Sequence, residues 1–165
     1  MNFRRIFRHL FLPQWSIGLA FPKRVLRAIE QAIAASEKNH DAELRFAVEA
    51  GLPLAALLRG QTARSRAVEV FSQLRVWDTE HNSGVLIYVQ LVDRKVEILA
   101  DRGINVLVPQ IEWDAICHRI EQRYRKGGFE QGTLDAIEEI TVRLARHFPP
   151  RETNPDELPN RPAVL

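Results

Sequence analysis

From Phe21 onward the chain alternates between two hydrophobic periods, and the switches between them mark its elements. Phe21-Pro22 opens a helix, with proline placed where its missing N–H costs nothing. Val25, Leu26, Ile29 and Ile33 form its apolar stripe, and it is expected to end near Ser36. In Ala42–Glu49 the period drops to two. Leu44, Phe46 and Val48 alternate with charged or small residues, which predicts a half-buried strand. Gly51 and Pro53 punctuate it, and a helix follows with Ala63, Ala67, Val70, Phe71 and Leu74 on one face.

The polar stretch Asp78–Gly84 leads into Val85-Leu86-Ile87-Tyr88-Val89-Gln90-Leu91, a nearly continuous apolar run of the kind covered on both faces. Val92-Asp93-Arg94-Lys95 is a tight polar turn into Val96-Glu97-Ile98-Leu99-Ala100, so these two strands are predicted to form an antiparallel hairpin. The first strand reaches the second through a helix, which makes that pair parallel with a right-handed crossover. Trp113, Ile116, Cys117, Ile120 and Tyr124 define the inner face of a helix from about Pro109 to Tyr124, ended by Gly127-Gly128. Leu134, Ile137, Ile140 and Leu144 define the last helix, which stops before Phe148-Pro149-Pro150. The fold class is α/β, with a small mixed sheet covered by helices. The expected layout is an N-terminal arm over 1–20, a domain over 21–148 and a proline-rich tail over 149–165. Five of the nine prolines fall in that tail, so it is expected to be extended and disordered.

Composition narrows the class. At 165 residues, 45% hydrophobic and 27% charged, the chain fits one globular domain rather than a fibre, a disordered chain or a polytopic membrane protein. One cysteine excludes a disulfide framework and a thiolate zinc site.

The net charge of +2 conceals an asymmetry: residues 1–29 carry +6 and the remainder −4. A basic end on an acidic body suits an anionic surface. Lipid is preferred to nucleic acid, because phosphate would repel the acidic remainder. In residues 1–12, Arg4, Arg5 and Arg8 interleave with Phe3, Phe7, Leu10 and Phe11, the pattern of an interfacial helix or a partner-binding arm. The same residues also suit an arm folded onto its own domain. The segment is too short to span a bilayer. Export is not expected, because Arg8 and His9 break the apolar run and no small-residue cleavage site follows. The expected location is cytoplasmic, with peripheral contact at the inner membrane face and a protein partner nearby; oligomeric state is left open.

Three clusters are candidates for chemistry. Asp78, Glu80 and Asn82 carry alternating oxygen ligands, and Asp101 returns to the same end of the hairpin. Together they make a candidate site for Ca²⁺ or Mg²⁺, set against the simpler reading of solvated loop charge. Arg94 and Arg102 are candidate phosphate or carboxylate receivers, set against an internal Asp–Arg pair pinning the turn. Glu37, His40 and Glu43 admit a metal site or a general base, against helix capping and surface solvation. Cys117 lies in an apolar stripe and reads as a structural thiol.

Four stretches together are similar to the TPM domain family over roughly residues 22–148. They are Glu43-Leu44-Arg45-Phe46-Ala47-Val48, Asn82-Ser83-Gly84-Val85-Leu86-Ile87-Tyr88-Val89, Asp93-Arg94, and Gly127-Gly128-Phe129-Glu130-Gln131-Gly132. The resemblance implies an α/β/α sandwich and acidic loops that bind metal and support phosphatase activity. Asp101-Arg102-Gly103 stands where many relatives have Gly-x-Gly, and no acid occurs in residues 104–109, which places the chain nearer a short branch of the family. Two functions are therefore carried forward. The first is a non-catalytic binding or regulatory module beside a membrane. The alternative is a metal-dependent phosphatase-like hydrolase using Asp78, Glu80 and Asp101 with Arg102 on phosphate.

Overall fold

In the computed structural model, Arg5, Phe7, His9, residues 15–151 and residues 155–165 are described. Arg4, Arg8 and Phe11 of the basic arm lie outside them. From residue 15 onward two helices and a turn lead to the sheet: α1 (Trp15–Ala20), α2 (Lys23–Ser36) and a single 3₁₀ turn over Glu37–Asn39. Then follow β1 (Glu43–Glu49), α3 (Leu54–Leu58), α4 (Ala63–Gln73), β2 (Gly84–Gln90) and β3 (Lys95–Ala100). The chain continues as α5 (Arg102–Asn105), α6 (Gln110–Arg125), α7 (Phe129–His147) and β4 (Ala163–Val164).

Local chemistry accounts for the boundaries. Pro22 and Pro109 precede α2 and α6, where a missing N–H leaves no hydrogen bond unmade. Thr62 caps α4 by accepting the Ser65 N–H, and Ser65 answers through its own side chain. Gly60, at φ 72°, ends the short α3, which the sequence pattern did not predict, ahead of the expected helix α4.

The sheet order is β3-β2-β1-β4. β1 and β2 are parallel from Glu43↔Gly84 to Glu49↔Gln90, and β2 and β3 are antiparallel from Val85↔Ala100 to Gln90↔Lys95. Strand alternation sends Leu44, Phe46, Val48, Val85, Ile87 and Val89 into the larger core, against α2, α6 and α7. The opposite face buries Ala47, Leu86, Tyr88 and Leu99 beneath Ala67 and Val70 of α4, Val76 and Leu158. This is the expected mixed sheet between helical layers. Gly84 begins β2 so close to residue 76 that a Cβ would lie 1.8 Å from the Val76 carbonyl oxygen.

Two expectations are corrected. β1 is buried along its whole length rather than half-buried, because a second layer covers the face that carries Glu43, Arg45 and Glu49. Residues 155–165 are not a disordered tail. Ala163 and Val164 pair with Ala47 and Val48 of β1, the Leu165 N–H donates to the Val48 carbonyl at 3.0 Å, and Leu158 is buried. Their prolines suit an edge strand, whose outer N–H groups need no ladder partner.

Of the arm, Arg5 and His9 dock at the hairpin turn. Arg5 donates to Asp93 and to the Gln61 carbonyl, both at 2.9 Å. His9 Nδ1 accepts the Leu52 N–H at 2.9 Å, which leaves Nε2 to donate to Asp93 at 3.1 Å. Burial alone would raise the Asp93 carboxyl, but Arg5 and His9 hold it below its ordinary value. Phe7 is exposed.

Candidate functional site

At the N-terminal end of the parallel strands, the 3₁₀ turn after α2 swings Glu37 under the sheet, and β1 begins with Glu43 on the face covered by the C-terminal segment. Asp156 arrives from that segment. One carboxylate oxygen from each of these three residues lies within 4.8 Å of the others. Among the described residues no other trio of acidic, histidine or cysteine ligand atoms converges in this way. The cleft measures about 470 Å³, with Lys38 and Arg151 at its margin. Glu37 Oε1 accepts the Leu44 N–H and Glu43 Oε2 accepts the Leu158 N–H, each at 3.1 Å, so both carboxyls are positioned by backbone. Asn160 donates to Asp156 at 3.4 Å, while its Oδ1 is buried without a hydrogen-bond partner among the described residues. Arg45, two positions along β1 from Glu43, is 6% exposed, and its Nε and Nη1 likewise have none there.

The electrostatics follow from burial. Desolvation pushes Glu37 up to about 8; the Leu44 N–H opposes it, and nearby Glu43 and Asp156 reinforce it. Glu43 is pushed to about 7, again chiefly by burial, against N–H donors from Leu158 and Glu157. The Arg45 guanidinium is lowered by burial, an effect opposed by Glu37 and Asp156. At neutral pH the pair therefore retains protons, an arrangement that can serve as an acid–base pair or exchange protons for a cation. Glu49, the other buried carboxylate of β1, differs: it accepts two bonds from Arg66 and one from Tyr88, and has a structural role.

His40, read beside Glu37 and Glu43 in sequence, is not in this cluster. It is buried and hydrogen-bonded to Ser36 Oγ at 2.8 Å, and desolvation lowers it to about 4. Its neutral ring pins the end of α2.

The acidic loop is arranged differently from the four-ligand expectation. Asn82, Asp101 and Arg102 do meet. Asp101 Oδ1 accepts the Arg102 N–H at 2.7 Å, Arg102 Nε donates to Asn82 Oδ1 at 2.9 Å, and Asn82 sits at φ 53°. Asp78 instead lies 3.7 Å from Arg75 and Glu80 lies beside His81 at 3.6 Å, both exposed, so the three carboxylates do not form a trio. Arg94 and Arg102 cannot share an anion: they flank β3 at its opposite ends, six residues of strand apart. Burial pushes the Cys117 thiol up to about 12, as a structural cysteine requires.

Glu37 and Glu43 were visible in sequence as one polar stretch. Asp156 and Asn160 were missed because their segment reads as a proline-rich tail. The available signal was Ala163-Val164-Leu165, a short apolar run after Pro162 that can pair as an edge strand.

Among the described residues, no helix is long and apolar enough to cross a membrane. No curated protein matches the chain. The NMR structure of BA42 protein from the psychrophilic bacterium Bizionia argentinensis is 34% identical, with a TM-score of 0.75, covering 86% of this chain and 93% of that one. The NMR structure of the N-terminal domain of a P. gingivalis protein is 15% identical at a TM-score of 0.58, covering 74% and 76%, and shows likeness of fold alone. The family model of the TPM domain matches residues 21–143, and with the mixed sheet and its helical layers in place, the chain belongs to the TPM domain family.

Proposed function

We propose that this TPM domain is a binding and regulatory module whose acidic cleft takes a hard divalent cation, Ca²⁺ or Mg²⁺, and thereby ties the C-terminal segment to β1. The observation that carries this reading is the convergence of Glu37, Glu43 and Asp156 within 4.8 Å. The donor set is all oxygen, and Asn160 Oδ1 offers a fourth ligand, which favours hard cations over softer metals. Carboxyls held protonated by burial take up a cation by exchanging their protons for it, so binding is coupled to proton release. Arg45 supplies one positive charge beside them, so affinity is expected to be modest.

The test is an NMR titration of the full chain with CaCl₂ and MgCl₂. The reading expects amide shifts at residues 37–45 and 155–160, and their loss in Glu43→Gln. Shifts confined to residues 78–84 and 101–104 would transfer the site to the acidic loop. Absence of shifts would remove the cation.

A hydrolytic reading of the same cleft is favoured by one observation: Glu37 and Glu43 converge with Asp156, and burial raises both carboxyls towards neutral pH, where such groups can give and take protons. A bound cation would there polarise a phosphoryl oxygen. Mg²⁺-dependent hydrolysis of p-nitrophenyl phosphate that Glu43→Gln abolishes would establish it.

A further inference from the structure

A second cleft, of about 430 Å³, opens at the other end of the sheet, where β2 runs out through Val89, Leu91 and Val92. In open α/β sheets ligands collect outside the carboxyl ends of strands, and β1 and β2 both point here. The aromatic side of the cleft is formed by Tyr124 and Phe129, whose rings are 4.9 Å apart, with Phe21 packed behind them at 5.6–5.9 Å. Leu19 of α1 closes another side and is 74% exposed. Its charged groups are of one sign: among the described residues Arg94 and Arg125 line the cleft and no carboxylate does, with Ser16 and Gln90 as neutral polar groups.

The Arg94 guanidinium has no hydrogen-bond or ion-pair partner among the described residues, and Arg125 has only Glu121 at 3.6 Å. Ser16 Oγ, also lining the cleft, is buried with no partner among those residues. Apolar walls with a few convergent polar groups and a volume of several hundred Å³ are the features of a small-molecule site. Two guanidiniums at its margin select an anion.

We propose that this cleft binds a small amphiphile, an anionic head on an apolar chain, with the chain against Tyr124, Phe129 and Leu19 and the head between Arg94 and Arg125. This gives Arg94 the anion-receiving role that its sequence suggested, with Arg125 rather than Arg102 as its partner. The site is separate from the acidic cleft, and its failure would leave the cation reading untouched.

The same head-and-chain chemistry occurs in a free carboxylate and in a membrane lipid. The full chain is therefore titrated by NMR with octanoate, with 1-octanol and with phosphatidylglycerol vesicles. Octanoate is expected to shift residues 89–92 and 124–129 saturably and more tightly than 1-octanol does. Arg94→Asn, which suits the left-handed backbone at φ 53°, and Arg125→Gln are each expected to weaken octanoate about tenfold without changing the 1-octanol response. Equal responses to octanoate and 1-octanol, unaffected by either variant, would overturn the anion selectivity and with it the proposal. So would vesicle-induced shifts without an octanoate response, which would make this face a membrane contact.

Discussion

Replacing Glu37 by glutamine isolates the electrostatics of the acidic cleft. In the unfolded chain this carboxyl ionises near 4.5, whereas in the folded protein burial holds its proton to about 8. Between those values folding takes up a proton, so the stability linked to Glu37 is fully present below pH 4.5 and is lost as pH rises towards 8. His40 runs the opposite way, since burial lowers it from 6.5 to about 4, but its contribution fades above pH 6.5 as the unfolded ring loses its proton too. Between pH 6.5 and 8 Glu43, held to about 7, adds a slope of the same sign, but wild type and variant share it, so the difference between their profiles reports Glu37. At ~1.4 kcal/mol per pH unit, the wild type should lose about 2 kcal/mol across that range through Glu37. Glutamine is nearly isosteric, keeps an oxygen for the Leu44 N–H and carries no charge. Urea denaturation at pH 6.5, 7.25 and 8 should show a flatter profile for Glu37→Gln and a variant more stable than wild type at pH 8. Equal slopes, or a variant less stable at pH 8, would refute the claim that Glu37 is held protonated by burial.

Gly84→Ala should cost about 3 kcal/mol or more, because its methyl would sit 1.8 Å from the Val76 carbonyl oxygen; thermal melting checks this. Truncation before residue 155 should leave a folded core with an open β1 edge that self-associates, visible as a concentration-dependent shift in size-exclusion chromatography; a strictly monomeric product would mean β4 does not guard that edge. The arginine-rich arm is proposed to contact anionic lipid, so the full chain should co-sediment with phosphatidylglycerol vesicles at low salt and release as salt rises, and no binding at low salt would confine the arm to the fold.

Much of the architecture was legible from periodicity. The run from Val85 to Leu91, the polar turn at residues 92–95 and the stripe of Trp113, Ile116 and Ile120 report their partners locally, and the hairpin and α6 follow. What failed were judgements about cover. Glu43, Arg45 and Glu49 alternate with apolar residues as a solvated face would, yet Arg66 and Tyr88 engage Glu49, while residues 155–165 close over Glu43 and Arg45. Periodicity reports which residues share a face, not what lies above it. The site suffered for the same reason: Asp156 joins Glu43 only because Leu158 and β4 bring the segment back, a pairing separated by more than a hundred residues. The acidic loop erred in the other direction. Alternating oxygens at 78, 80 and 82 suggested convergence, but the backbone turns at Asn82, whose side chain accepts from Arg102, and Asp78 and Glu80 are left exposed.

The most direct test of the acidic cleft is the number of protons released when Ca²⁺ binds. Calorimetric titration of the full chain at pH 7, repeated in buffers of different ionisation enthalpy, yields that number. Because Glu37 and Glu43 hold protons up to about 8 and about 7, a cation that takes both should release between one and two. Glu43→Gln should cut both affinity and proton release. Binding without proton release, or release unchanged in Glu43→Gln, would place the cation elsewhere and contradict the account.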